Sequence, residues 1–324
     1  MNLGTPESPD AKSVGRFLKE FLSDPRVVEA PRVIWLPVLN GIIVPRRSRR
    51  VAELYRSIWT ESGSPIRAIT ERQVDALQQV FLESYGESAP RVTYAMTYGS
   101  PSLKNTVMQL REQGIERIVL LPLYPQYSGS TTGAIYDQLA DIFRVSRDVP
   151  DIQVIKHYFS HPAYVQALKL TIEQHWQEYG RNERLLMSFH GVPKSYIDKG
   201  DPYYQHCKST AEAVASELGL LPDEWAFSFQ SRFGPKEWVK PYTDVLLDEW
   251  LELGVKSVDI ISPAFAADCL ETLEELEVEV KEQFLNGGGE CYRFISCLND
   301  SEVHIEMMKK VITDQFSGFL QLSS

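Results

Sequence analysis

Short apolar segments alternate with longer amphipathic segments along almost the whole chain, and each apolar segment is followed by Gly, Pro or Ser. This alternation predicts βαβ units and parallel sheets. Nearly continuous apolar strands, such as the one around Val119, fit a sheet that is covered on both faces. The predicted strands are Val92–Thr97, Arg117–Leu121, Ile152–Tyr158, Arg184–Phe189, Trp225–Gln230, Ser257–Ser262 and Tyr292–Cys297.

Segments with helical periodicity fill the intervals between these strands. They are Ser13–Leu22, Ser48–Thr60, Glu71–Glu83, Ser102–Gln113, Ala134–Phe143, Tyr164–Glu178, Tyr204–Leu218, Val239–Leu253, Leu270–Phe284 and Glu302–Phe316. The 324 residues suffice for two domains with separate cores. The predicted fold class is therefore α/β, with two domains that each hold a parallel β-sheet flanked by helices. We expect the boundary near Ser146–Ile152, giving domains 1–148 and 149–324, with the last helix packing back on the first domain.

Charge and cysteine content narrow the class of protein. The 33 basic and 44 acidic residues give a net charge of −11, which argues against sequence-independent nucleic-acid binding. The four cysteines (Cys207, Cys269, Cys291 and Cys297) form no CxxC pair, which fits a reduced compartment. No run approaches the ~20 apolar residues that span a bilayer, and the polar start of the chain is not a signal peptide. We therefore expect a cytoplasmic protein.

His190 follows the predicted strand Arg184–Phe189 and precedes Gly191 and Pro193. Ligands of open α/β sheets bind outside the carboxyl ends of strands, and an imidazole there can accept a proton or bind a metal near neutrality. A hydrogen-bonded loop histidine is the commoner interpretation of such a residue taken alone. The turn after Leu121 resembles the turn at His190. We expect the two turns to occupy corresponding places in two similar halves and to face one cleft.

Acidic residues crowd the start of the helix that follows the sixth predicted strand. Asp268 and Glu271 have the spacing of a capping pair, and carboxylates are favoured at a helix N-terminus. Glu275, Glu279 and Glu282 continue an acidic stripe at helical spacing, which a capping pair does not explain. The stripe indicates either a solvated helix face or a cation nearby.

Four arginines within five positions (Arg46, Arg47, Arg49 and Arg50) follow the apolar segment Trp35–Val44, which we expect to be an exposed loop. Such a loop could cover an apolar ring while the arginines pair with its carboxylates. It could also lie at an anionic membrane surface. The alternative is an ordinary helix start whose arginines are solvated.

Aromatic and hydroxyl residues crowd the segment Tyr124–Gly133, which includes Tyr127. A turn rich in Ser and Gly ahead of a helix can bind phosphate on backbone N–H groups. The segment has neither the Lys of a P-loop nor a GxGxxG pattern. Its aromatic side chains suit a flat apolar ligand better.

Five blocks, in the family's order, resemble the ferrochelatase family over nearly the whole chain. They are Asn2–Pro6, Leu123–Ser128, Ser188–Pro193 with Lys199–Tyr203, Gln230–Pro235 with Trp238, and Leu270–Leu276. Any one block is a weak signal, whereas the ordered set is highly specific. The resemblance implies two Rossmann-like, chelatase-type domains with a porphyrin held in the cleft between them.

The resemblance also implies the activity and the roles of individual residues. The activity would be insertion of Fe²⁺ into protoporphyrin IX to make protohaem, with iron and porphyrin as substrates and no tightly bound cofactor. His190 and Glu271 match the family's paired active-site positions and would share metal delivery and proton removal. Asp268 and Glu275 match acids that would relay protons or metal. Residues matched to porphyrin contacts are Arg46, Arg47, Tyr98, Tyr127, Trp238 and Phe265.

The chain departs from the family pattern at several places. Cys269 stands where relatives with the motif His-x-Glu carry histidine, so that histidine is not essential here. Thr97 stands where many relatives have arginine, which puts a propionate or metal contact at that place in doubt. No cysteine follows Cys297, so we expect no [2Fe–2S] cluster. Most of the strand expected before Asn2 is absent from the sequence.

Two alternative functions stay open at this point. One is a chelatase for another tetrapyrrole, such as coproporphyrin III or sirohydrochlorin, and the other is a non-catalytic haem- or porphyrin-binding protein. The family resemblance implies a monomer, with peripheral membrane contact through Trp35–Val44.

Overall fold

The computed structural model describes residues 1–320. It divides into two compact units: Met1–His157 together with the chain from Met308 on, and Tyr158–Met307. The division falls after His157 and not after residue 148, because the strand Asp151–Val154 pairs with Arg117–Leu120 of the first unit. The end of the last helix groups with the first unit.

The first unit has four parallel strands: β1 (Asn2–Gly4), β2 (Met96–Tyr98), β3 (Arg117–Leu120) and β4 (Asp151–Val154). The Met1 amino group donates to the Leu121 carbonyl at 2.9 Å, and the Leu123 N–H donates to the Met1 carbonyl at 2.7 Å. The strands form two ladders, β1–β2 and β3–β4. The Met1 bonds place β1 next to the end of β3, so the four strands follow one another in the order β2-β1-β3-β4. Its helices are α1 (Ala11–Ser23), α2 (Arg32–Val38), α3 (Val44–Ile58), α4 (Pro65–Tyr85), α5 (Leu103–Glu112) and α6 (Thr132–Val145).

The second unit holds a four-stranded parallel sheet in the order β6-β5-β7-β8. The strands are β5 (Arg184–His190), β6 (Trp225–Gln230), β7 (Ser257–Ile261) and β8 (Cys291–Ile295). The helices are α7 (Pro162–Tyr179), α8 (Lys194–Asp198), α9 (Tyr203–Glu217), α10 (Thr243–Glu252), α11 (Lys281–Asn286) and α12 (Glu302–Leu320), and a π-helix covers Glu271–Val280. The predicted strands of this unit therefore agree with the structure to within two residues at each end.

Apolar side chains on one face of this sheet form its main core. Leu186, Val258 and Ile260 pack against side chains of α10, the π-helix and α11, among them Trp250 and Phe284. Neighbouring strand residues such as Leu185 and Met187 are equally buried, because side chains alternate between the two faces of a strand. Burial on both faces is what the continuous apolar strands predicted.

Both units use the same strand order, which corrects the expected correspondence between turns. His190 ends the first strand of its unit, so its counterpart is the end of β1 at Gly4. The turn after Leu121 follows the third strand and corresponds to the turn after β7. The backbone repeats as well: the Met96 N–H donates to the Pro101 carbonyl at 2.7 Å, and the Phe229 N–H donates to the Pro241 carbonyl at 2.8 Å.

The expected loop Trp35–Val44 is wrong, because the chain there is helical. α2 continues through a π-helical turn, Leu39–Ile43, directly into α3. Pro45 lies at the second residue of α3 and lacks the N–H that would otherwise continue the hydrogen-bond ladder there. The Val44 N–H reaches back five residues to the Leu39 carbonyl, so the wider turn keeps the helix continuous. Within residues 1–320, no helix is both long and apolar enough to span a membrane.

Gly4 provides a test of the β1–β2 pairing. Its φ is +109°, and a Cβ at this position would lie 1.7 Å from the Tyr98 carbonyl oxygen. Gly86, with a φ of +56° and open space around it, is the matched control. We expect Gly86→Ala to lower the free energy of unfolding by about 1 kcal/mol, and Gly4→Ala by roughly 3 kcal/mol or more, because the backbone clash adds to the unfavourable φ. Urea unfolding measures both, and equal losses would contradict this account.

Candidate active site

His190 is the last residue of β5, at the carboxyl edge of the second unit's sheet, and is partly exposed. Its Nδ1 lies 2.7 Å from the Gly191 carbonyl oxygen. Because a carbonyl oxygen only accepts, Nδ1 must carry the proton that it donates. The neutral ring therefore keeps the lone pair on Nε2, the form that can bind a metal or accept a proton.

Gly191 brings the ends of β5 and β6 into close contact. Its N–H donates to the Gln230 carbonyl at 2.8 Å. A Cβ at residue 191 would lie 2.7 Å from that carbonyl oxygen and 3.2 Å from the Trp238 ring. Trp238 is held here by an antiparallel bridge to Pro193, so its ring covers the turn beside His190.

Phe265 and the start of the π-helix approach His190 from the other side. The chain leaves β7 through a short turn that places the Phe265 ring centroid 6.3 Å from the His190 ring centroid. The π-helix begins at Glu271. His190, Trp238, Phe265 and Glu271 therefore gather at one edge of the second unit.

Glu275 has the most complete set of partners in this group. Its Oε1 accepts from the Ser231 N–H at 2.7 Å, and its Oε2 accepts from the Ser231 hydroxyl. The Gln230 side-chain Nε2 lies 3.4 Å from the same Oε2. Burial raises the pKa of Glu275 above its usual range, while the Ser231 bonds and the nearby His190 oppose that rise.

Glu271 is paired differently. Its carboxylate is close enough to the buried Cys269 thiol to act on it: burial, together with that carboxylate, raises the pKa of Cys269 well above its usual range. The Glu271 main-chain carbonyl accepts from the Gln230 Nε2 at 2.8 Å.

Asp268 does not form the predicted capping pair. Its carboxylate accepts from the Thr272 hydroxyl at 3.0 Å, the Cys297 N–H at 3.2 Å and the Asn299 side-chain amide at 2.6 Å. It is 6% exposed. These bonds connect the turn before the π-helix to the chain after β8, so the geometry supports an anchoring role for Asp268, and its relay role stays a prediction.

The predicted porphyrin contacts Arg46, Arg47, Tyr98 and Tyr127 lie in the first unit. Arg46 and Arg47 are exposed on α3. Tyr98 is only 3% exposed, and its hydroxyl donates to the Asp24 carboxylate at 2.9 Å. Tyr127 is partly exposed, with the Lys156 ammonium 4.9 Å from its ring centroid.

Gln230 and Ser231 were not among the predicted site residues. Ser231 adopts a φ of +65°, which is uncommon for a residue with a side chain and directs both of its donors at Glu275. Two signals were available: Gln230 ends a predicted strand at the carboxyl edge of the sheet and Ser231 follows it, and both open the family block Gln230–Pro235. Among residues 1–320, no group of three or more His, Cys, Asp or Glu is placed to hold a metal ion.

Comparison of the fold with solved structures finds sirohydrochlorin chelatases. SirB from Bacillus subtilis with Fe³⁺ has a TM-score of 0.54 and 14% identity, covering 78% of this chain and 92% of the SirB chain. SirB from Bacillus subtilis subspecies spizizenii with cobalt has a TM-score of 0.55 and 13% identity, covering 79% and 94%. Similarity at this level of identity shows a shared chelatase-type α/β fold.

Sequence comparison gives a closer relationship. Ferrochelatase 1 of Shewanella oneidensis is 48% identical over 99% of this chain and 96% of its own length. The ferrochelatase of Psychrobacter cryohalolentis is 49% identical over 98% of this chain and 94% of its own. The sequence model of the ferrochelatase family matches residues 1–316. With its histidine, aromatic rings and acidic π-helix at one sheet edge, the chain belongs to the ferrochelatase family.

Proposed function

We propose that the protein is a ferrochelatase that inserts Fe²⁺ into protoporphyrin IX and releases protohaem and two protons. The observation that carries the proposal is the His190 ring, which offers Nε2 at the carboxyl edge of a chelatase-type sheet and interacts electrostatically with the Glu275 carboxylate. The relatives at 48–49% identity bear the name ferrochelatase, which supports the same reaction here.

The chemistry requires a base and a metal contact on one face of a flat macrocycle. A porphyrin carries two pyrrole protons that must leave as iron enters, and iron must lose water as it binds the four nitrogens. His190 Nε2 is suited to either task, because its lone pair is fixed by the Nδ1–Gly191 hydrogen bond. The Glu271 carboxylate is suited to hold the cation or take a proton. We assign the two tasks jointly to this pair, and propose a relay role for Glu275.

The aromatic side chains around His190 are suited to hold the ring. Phe265 and Trp238 approach the histidine from β7 and from the chain after β6. Aromatic walls exclude water, which strengthens the electrostatic interactions inside. We propose that Arg46 and Arg47 pair with the carboxylates of the porphyrin, since a guanidinium binds a carboxylate with two parallel hydrogen bonds.

We propose that the reaction uses no iron–sulfur cluster and that iron reaches the protein only as a substrate. The family resemblance supports this, because no cysteine follows Cys297 in the sequence.

The central test is anaerobic insertion of Fe²⁺ or Zn²⁺ into protoporphyrin IX, followed by absorbance. We expect His190→Ala and Glu271→Gln each to lower kcat by about 10²–10⁴-fold, the usual contribution of a positioned acid–base group. Glu277→Gln is the control, because Glu277 is exposed on the same π-helix. Full activity in both site variants would remove the assignment, and an inactive wild-type protein would remove the proposed function.

Substrate choice requires a second measurement. The alternative reaction, metal insertion into coproporphyrin III or sirohydrochlorin, is not favoured, because the sirohydrochlorin chelatases are 13–14% identical and the ferrochelatases 48–49% identical to this chain. We expect kcat/KM for protoporphyrin IX to exceed that for either other tetrapyrrole at least tenfold, and the reverse order would overturn this choice. Tight haem binding by a protein with no insertion activity would instead support a binding protein.

The helix that replaced the expected loop carries a surface suited to an anionic lipid. Val33 and Ile34 on α2 are 86% and 67% exposed, and the exposed arginines of α3 follow in the same helical run. Apolar side chains next to basic ones bind the surface of an anionic bilayer. We propose a cytoplasmic protein that contacts the membrane peripherally through this surface.

Vesicle co-sedimentation tests the membrane contact. We expect the double variant Val33→Ser, Ile34→Ser to bind vesicles containing anionic phospholipid about tenfold or more weakly, because two apolar side chains that would enter the bilayer are lost. Val145→Ser is the matched control, since Val145 is 71% exposed on α6 of the same unit. Equal losses in the two variants, or no binding by the wild-type protein, would contradict the proposal.

A further inference from the structure

Three buried hydroxyls lie beneath the site and contact one another in sequence. The Ser228 and Thr243 side-chain oxygens are 2.8 Å apart, and those of Thr243 and Ser188 are 2.9 Å apart. The Ser188 hydroxyl then donates to the Gln230 side-chain oxygen Oε1 at 2.8 Å. All four residues are 3% exposed or less. We refer to Ser228, Thr243 and Ser188 as the hydroxyl chain.

The direction of donation along the hydroxyl chain follows from proton counting. Each hydroxyl has a single proton to donate. Ser188 uses its proton on Gln230 Oε1, so it accepts from Thr243, and Thr243 in turn accepts from Ser228. The hydroxyl chain therefore delivers one donor to Oε1, while the Glu271 carbonyl, which only accepts, requires Nε2 at the other end of the Gln230 amide.

The opposite end of that amide faces the π-helix. With Oε1 held in the core, Nε2 donates to the Glu271 carbonyl at 2.8 Å and lies 3.4 Å from Glu275 Oε2. The next residue, Ser231, adds its N–H and its hydroxyl to the same carboxylate. The residues at the end of β6 thus contact the π-helix twice. Gln230 bonds to the main chain of its first residue, and Ser231 bonds to the Glu275 carboxylate one turn later.

We propose that Gln230 and Ser231 are positioning residues for metal insertion, with Gln230 oriented by the hydroxyl chain. This inference rests on the proposed function. The two residues touch neither substrate. They hold the Glu275 carboxylate and the Glu271 main chain in the positions that bring the acidic side chains up to His190. Their loss would therefore lower kcat/KM for the metal while leaving the KM for porphyrin unchanged.

Thr243 offers a test at a distance from the carboxylates. Thr243→Val keeps the side-chain shape and removes the hydroxyl, whereas Thr243→Ser keeps the hydroxyl. We expect kcat/KM for Zn²⁺ or Fe²⁺ to fall roughly 10–100-fold in Thr243→Val, as is typical when the partner of a metal-site residue is lost. The KM for porphyrin should equal that of the wild-type protein, and Thr243→Ser should retain most of the activity. Equal metal kinetics in Thr243→Val and wild type, or equal losses in the two variants, would overturn the role of the hydroxyl chain.

Hydrogen exchange gives a readout that does not depend on activity. We expect the backbone amides of residues 271–276 to exchange faster in Thr243→Val than in Thr243→Ser, because the Ser188 hydroxyl loses the neighbour that orients its donation to Gln230. Unchanged exchange in this segment would overturn the proposal. Inactivity of the wild-type protein would instead contradict the proposed function. The exchange measurement would still show whether the hydroxyl chain stabilises residues 271–276.

Ser231 allows a second pair of variants that separates the hydroxyl from the backbone. Ser231→Ala and Ser231→Gly both lose the hydroxyl and keep the N–H, but only Gly adopts a positive φ without strain. We expect the same fall in metal kcat/KM in both variants, roughly tenfold or more, with the higher melting temperature in Ser231→Gly. Wild-type metal kinetics in either variant would overturn the role of the hydroxyl.

Discussion

The candidate site depends on the close approach of β5 and β6 at Gly191 and Gln230. The Gly191 N–H bonds to the Gln230 carbonyl, and no Cβ fits between them. The same turn orients His190, because its ring bonds to the Gly191 carbonyl. With its carbonyl facing Gly191, residue 230 ends the strand and Ser231 enters the left-handed conformation. One contact between two main chains thus places the histidine on one strand and the donors to Glu275 on the next.

Comparison of the two units shows what this contact adds. Gly4 approaches the Tyr98 carbonyl as Gly191 approaches Gln230, and both units share their strand order. The first unit ends β1 at Gly4 where the second ends β5 at His190, and it has an ordinary α-helix, α6, where the second has the π-helix. The histidine and the acidic π-helix of the candidate site are therefore features of the second unit, although the repeated backbone could support a turn of the same kind in either.

Much of the second unit was predictable, because its strands are continuous apolar segments whose burial dominates local preference. His190 could be placed at a sheet edge because the carboxyl ends of parallel strands lie together, whereas Phe265 was identified only through the family resemblance. The helix over Trp35–Val44 was missed, since Pro37, Gly41 and Pro45 are typical of a loop and the π-helical turn that accommodates them has no simple sequence pattern. The partners of Asp268 were missed because Cys297 and Asn299 are distant in sequence.

Gln230 and Ser231 contact the π-helix, and the rarity of this helix type gives those contacts structural importance. A π-helix has longer-range hydrogen bonds than an α-helix and is rare, so it persists where other contacts stabilise it. Gln230 donates to the carbonyl of its first residue, and Ser231 holds the side chain of Glu275 one turn later. Burial disfavours the charged form of that carboxylate, while the donors from β6 favour it. The residues that contact the first turn of the π-helix therefore also hold an acidic group near His190.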